Sequence, residues 1–190
     1  MSKIKLNSIV FLLSVMFALS FSSCNNSDND KVVGHWRYSE SSDLGNITGV
    51  MNYNSDGSTY ESGTMTYIFT DDDEESLTYG VETTLIYGLK SYGTYSVSGT
   101  TLTETTNNVN ISFKSAKTNL SGEYKDLERE LIKIYRDIIE ENNFKELKAI
   151  AYGTTTEEII TVNDTKMVLK SVDENGESDI TEYERLYEAR

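Results

Sequence analysis

Between Thr64 and Thr70 apolar and polar side chains alternate, with Met65, Tyr67 and Phe69 on one side of an extended chain and Thr64, Thr66 and Thr70 on the other. The same period of two returns at Tyr95 and Val97, and again at Val109, Ile111 and Phe113. Such alternation predicts strands of a sheet with one buried and one wet face. Segments rich in Thr, Tyr, Val and Ile at 32–40, 47–53, 76–88, 100–105, 157–162, 165–171 and 179–187 read as further strands. Asp56-Gly57, Ser98-Gly99, Asn163-Asp164 and Asn175-Gly176 stand between strand segments as tight turns. Roughly eight to ten short strands joined this way predict a mainly β fold, either an antiparallel barrel or a sandwich.

The period changes once, from 121 to 150. There Tyr124, Leu127, Leu131, Ile134, Tyr135, Ile138 and Ile139 recur at steps of three and four, which predicts an amphipathic helix. Glu123, Glu128 and Glu130 near its start and Lys145 and Lys148 near its end complement the helix dipole. Asn142-Asn143 is a candidate break. The helix reads either as a plug on one end or side of the sheet or as a lid over a cavity in a barrel mouth.

The amino terminus has a different pattern. Lys3 and Lys5 precede an apolar stretch from Ile9 to Phe21, the layout of a secretory signal and too short to span a bilayer comfortably. Residues 1–23 are therefore expected to be removed. The only cysteine, Cys24, follows at once, and Phe21-Ser22-Ser23-Cys24 resembles a relaxed bacterial lipobox. That resemblance implies cleavage before Cys24, a lipid on its sulfur and acyl chains that hold the protein on a membrane. Residues 24–31 then form the lipidated cysteine and a flexible acidic tether. The expected location is the outer membrane, on its periplasmic or its cell-surface face.

Charge narrows the partners. The chain carries a formal −14, and −16 once residues 1–23 with their two lysines are gone. Nucleic acid, which needs clustered Lys and Arg, is not an expected partner. An anionic membrane surface repels such a domain, so Cys24 is the expected membrane contact. With no cysteine after Cys24 and no proline, stability rests on a core and turns rest on Gly, Asn, Asp and Ser.

Within 32–190, "VVGHWRY" (Val32 to Tyr38) opens the folded part with Gly-x-Trp, and "TEYER" (Thr181 to Arg185) places an arginine near the last strand's end. Together with "TYIFTDDDE", "GTYSVSGTTLTET" and "KMVLKSVDENGES" (Thr66 to Glu74, Gly93 to Thr105, Lys166 to Ser178), this resembles the small lipocalin-like domains of bacterial lipoproteins. The resemblance implies a lipocalin-like β-barrel closed at its base by Trp36, with Arg185 stacked on the indole and Gly34 letting the chain pass beneath. It also implies non-catalytic binding of a small apolar or amphipathic ligand inside the barrel, with Met65, Tyr67, Phe69 and Tyr95 as lining residues. The helix of 121–150 departs from the family pattern. The alternative is a filled barrel whose outer surface meets a protein or a glycan.

No catalytic residue, metal site or cofactor is expected. His35 is the single histidine, without a recognisable nucleophile or a second ligand for zinc. "DDDEE" (Asp71 to Glu75) reads as a solvated hairpin tip. "NYNSDG" (Asn52 to Gly57) opens like a calcium loop, but its twelfth position is Gly63, where a bidentate Glu is needed. Thirty-one acids make any proposed carboxylate pair uninformative. Thirteen tyrosines, among them Tyr79, Tyr87, Tyr92 and Tyr95, suit a stacking surface or simply half-buried strands.

Overall fold

The structure is a computed structural model that describes residues 26–42, 45–144, 152–173 and 176–187. Residues 1–25, and with them the signal sequence and Cys24, lie outside the described residues.

After a single helical turn, α1 (Asn26–Asn29), the chain forms β1 (Gly34–Ser42), β2 (Gly45–Tyr53), β3 (Ser58–Thr70), β4 (Glu82–Ser98) and β5 (Thr101–Thr118). A helical segment follows, and then β6 (Gly153–Val162), β7 (Lys166–Val172) and β8 (Ser178–Arg185). Each strand pairs antiparallel with the next, and β8 returns to β1 through Trp36↔Arg185, Arg37↔Glu184 and Tyr38↔Tyr183. The result is a closed up-and-down barrel of eight strands, the architecture of lipocalin-like barrels; its closure is short at β1–β8, and β5 beyond Thr106 has no β6 partner.

The turns use the residues expected of them. Asp56 accepts from the Ser58 amide at 2.9 Å, and Asn163 does the same for Thr165 at 2.9 Å. Two strand expectations need correction. Residues 76–81 belong to the β3–β4 loop, where Asp71 accepts hydroxyl bonds from Ser76 and Thr78 and holds the loop in place of a strand ladder. The segments around Tyr95 and around Val109 are not separate strands either, because β4 and β5 run 17 and 18 residues. Bulges at Ile86/Tyr87 and Tyr92/Gly93 keep these long strands curved around the barrel.

The helical segment is a 3-10 turn (Gly122–Leu127), an α-helix α2 (Glu128–Ile138) and a π turn (Ile139–Asn143); 145–150 lie outside the described residues. Leu131, Tyr135 and Ile139 are four apart and share one face. That face packs inward, with Tyr135 stacked on Phe69 at 4.8 Å. Phe144 meets Tyr87 edge-on at 4.7 Å. Ile134 and Tyr124, which the sequence period includes in the apolar set, are exposed. The segment thus plugs the β3–β5 half of one barrel end, using the long upper parts of β4 and β5 as its bed.

The opposite end is closed by a second apolar cluster of Val32, Trp36, Tyr53, Tyr95, Leu102, Met167 and neighbours. Trp36 is fully buried, its indole N–H donates to the Val32 carbonyl at 2.7 Å, and the Arg185 guanidinium lies over its ring at 4.2 Å. Arg185 also donates to the Val33 carbonyl at 2.9 Å. Gly34 has φ +150°, and a Cβ there would stand 2.9 Å from the Arg185 guanidinium, so glycine serves both backbone and space.

Candidate functional site

Between the two apolar ends lies a polar layer that the strand phase places inside the barrel. In β1 the inward residues are Trp36, Tyr38 and Glu40. In β3 Glu61 shares the face of Met65, Tyr67 and Phe69; in β5 Glu104 shares that of Leu102; in β6 Glu157 shares that of Ile159. A period of two carries these acids to the inner side with their apolar neighbours. In β8 Asp179, Thr181 and Tyr183 pair with the inward Ser171, Leu169 and Met167 of β7.

Several of these groups are bonded to one another. Tyr38 and Ser91 donate to the two oxygens of Glu61, the serine at 2.8 Å. Tyr53 donates to Glu104, and Thr181 donates to Glu40 at 2.9 Å. Tyr38 and Tyr183 face each other with ring centroids 5.7 Å apart. The second oxygen of Glu40 is buried without a hydrogen-bond partner, and the Glu157 side chain makes no hydrogen bond or ion pair among the described residues. None of the ion pairs among the described residues includes Glu40, Glu61, Glu104, Glu157 or Asp179.

The electrostatic consequence is uniform. Burial pushes Glu104 up to about 7, and the charge of Glu61 adds to the shift against the bond from Tyr53. Burial pushes Glu157 up to about 8, helped by Glu104 and Glu40. Glu40 is raised by burial as well, with Asp179 and Glu61 adding to it. Tyr38, Tyr53 and Tyr183 are raised by burial and by the same glutamates, which keeps all three hydroxyls protonated donors. Glu40, Glu104, Glu157 and Tyr183 are deep in the barrel yet keep part of their surface accessible to water, and Asp179 is exposed at the rim. The layer therefore lines the barrel lumen with part of its surface accessible, and it is anionic when ionised.

Apolar residues are interspersed with this acid layer, Ile47 pairing with Glu40 and Met51 with Glu61 on adjacent strands. Ile47, Met51 and Ile111 are only partly buried against the two clusters. The lumen is thus amphipathic.

The lining residues expected from the sequence lie inside the barrel, in its two apolar clusters. Met65, Tyr67 and Phe69 are brought together, but packed beneath the helical plug with Leu85, Tyr87 and Ile139. Tyr95 belongs to the base cluster, donating to the Asn54 carbonyl at 2.8 Å. Gly34, Trp36 and Arg185 meet at the base. His35 points outward and bonds Asn52. Among the described residues no group of three or more His, Cys, Asp or Glu is arranged to hold a metal ion. The acids that do converge were hidden among thirty-one, although each sits two residues from a buried apolar neighbour or, for Glu61, in phase with three. No protein-family model matches this sequence, and a comparison with the curated proteins finds no match.

Proposed function

We propose that this protein is an exported lipoprotein, anchored in the outer membrane through acylated Cys24, whose lipocalin-like barrel binds a small amphipathic ligand with a cationic head and does no chemistry on it. The observation that carries this reading is the layer of inward carboxylates without a basic partner, beside tyrosine rings and an apolar wall. An organic cation supplies the missing charge, its carbon-bound face suits the Tyr38 and Tyr183 rings, and its tail suits the wall formed by Ile47, Met51 and Ile111. Acid–base catalysis asks for carboxyl groups whose affinities for protons are pushed apart. Here Glu40, Glu104 and Glu157 are all pushed upward, which favours neutralisation by a bound charge over a division into acid and base.

Native mass spectrometry of the protein exported from its own host tests the reading. A discrete co-purified mass with a basic group is expected; an acidic or purely apolar bound molecule would overturn the ligand class. For the anchor, labelling with a radioactive fatty acid in a bacterial host is expected to mark the wild type and not Cys24→Ala. Equal labelling of both sinks the anchor.

A further inference from the structure

We propose that the outer face of β1–β5 carries a second site, a groove that binds a saccharide bearing sulfate or carboxylate groups. It is separate from the lumen and does not depend on it.

A closed barrel is convex outside, so a depression there needs a local cause. Strand register sets Arg37, Val50, Ser62, Lys90 and Asn110 in one outward row across five strands. The next row is Ser39, Thr48, Thr64, Gly88 and Ser112. The middle of these rows is built from short side chains. At Gly88 the missing side chain matters directly, since a Cβ there would collide with the stem of Lys114, which lies across the glycine. Long cationic side chains thus flank a floor of small residues, and the groove encloses about 640 Å³. Arg37 and Lys90 are three strands apart, about 14 Å along the sheet at about 4.8 Å per strand.

The charge of this groove runs against that of the protein. Arg37, Lys90 and Lys114 line it, and no acid does, in a chain with 31 acids and 17 bases. None of the three cations takes part in an ion pair among the described residues. Glu184, which faces Arg37 from β8 on the far side of β1, makes no ion pair with it. Isolated surface cations need no explanation, but three around one concavity with hydroxyls at its floor form a complementary surface for an anion.

What surrounds the anion decides its class. Ser62, Thr64 and Ser112 offer hydroxyl donors and acceptors along the floor. In the next outward row Tyr60 and Tyr92 pair with ring centroids 5.0 Å apart, and Tyr92 is 48% exposed. Polar floor, cationic walls and an exposed aromatic platform together fit a charged sugar chain. A polyanion as large as nucleic acid, or an anionic bilayer, would meet the field of the whole acidic domain. An extended peptide would use a sheet edge, whereas the floor of this groove, at Thr48, Ser62, Thr64 and Gly88, lies on strands paired on both sides.

Calorimetric titration of the purified full chain at low salt tests the site. The probes are trigalacturonate and sucrose octasulfate, with maltotriose and sodium sulfate as controls. At least one charged saccharide is expected to bind, with maltotriose at least tenfold weaker and binding weakened by added salt. Arg37→Ala and Lys90→Ala are each expected to weaken it about tenfold, the loss of one charge-assisted contact. Tyr92→Ala is expected to weaken the saccharide and leave inorganic sulfate unchanged. Lys170→Ala, on β7 across the barrel, is expected to leave binding intact. No binding of either charged saccharide, or binding indifferent to both Arg37→Ala and Lys90→Ala, would overturn the site. Sulfate binding as tight as the saccharide, with Tyr92→Ala silent, would reduce it to a small-anion site and overturn the saccharide. All variants are of surface side chains, and unchanged thermal unfolding checks that each remains folded.

Discussion

Replacing Trp36 by alanine is expected to destabilise the barrel by about 3–5 kcal/mol, the range for deleting a fully buried large aromatic side chain. The side chain has no accessible surface and sits at the centre of the base cluster with Tyr53, Leu102, Met167 and Leu169. Its loss also strands the Val32 carbonyl, which accepts the indole N–H, and removes the ring beneath Arg185. A guanidinium over an indole contributes about 0.5–2 kcal/mol. The part-buried Arg185 guanidinium would then keep one hydrogen bond, to the Val33 carbonyl. For a chain of this size the expected fall in Tm is roughly 10 °C or more, read by circular dichroism because Trp36 is the only tryptophan. Trp36→Phe keeps most of the volume and is expected to recover more than half of the loss. A fall of 2 °C or less for Trp36→Ala would contradict a closed, packed base.

The second large effect is on pH dependence. Glu104 and Glu157 have folded-state values of about 7 and about 8, raised from an ordinary 4.5. A group whose affinity for protons rises on folding contributes stability that is fully present below its unfolded value and is lost as pH climbs through the folded one. The free protein is therefore expected to lose stability from about pH 5 to about pH 9, on the order of a few kcal/mol. The carboxylates that fold lowers, Asp28, Asp56, Asp71 and Glu128, titrate in acid and leave this window to the lumen. Glu104→Gln/Glu157→Gln is expected to flatten the alkaline decline and to unfold at least about 5 °C higher than wild type at pH 9, measured by thermal melts across pH. An unchanged slope in the double variant would place the titrating groups elsewhere.

Much of the barrel was legible because its local rules agree. Met65, Tyr67 and Phe69 alternate cleanly, the Asp-Gly and Ser-Gly turns fall between strands, and the step of three and four from Leu131 to Ile139 specifies the helix. The length of β4 and β5 was not legible, because the stretch from Thr105 to Asn108 is wholly polar, a bulge at Asn107 shifts the phase within it and a second at Lys114 shifts it again. A helix period alone also cannot rank faces, so Ile134 was grouped with residues that face the barrel. The acid layer was readable in principle: Tyr38-x-Glu40, Leu102-x-Glu104 and Glu157-x-Ile159 each put an acid in phase with an apolar residue. Its significance depends on closure, since only β1 meeting β8 brings the acids of distant strands around one lumen.

That lumen is the centre of the account, and a quaternary ammonium probe examines it most directly because its own charge does not change with pH. Calorimetric titration with decyltrimethylammonium at about pH 5.5 and about pH 8.5, with decyl sulfate as the anionic counterpart, compares a neutral with an ionised acid layer. The expected result is binding of the cation about tenfold or more tighter at the higher pH, lost in Glu104→Gln/Glu157→Gln, and no comparable binding of decyl sulfate. Equal affinity at both pH values, or a preference for decyl sulfate, would contradict a cation-binding lumen.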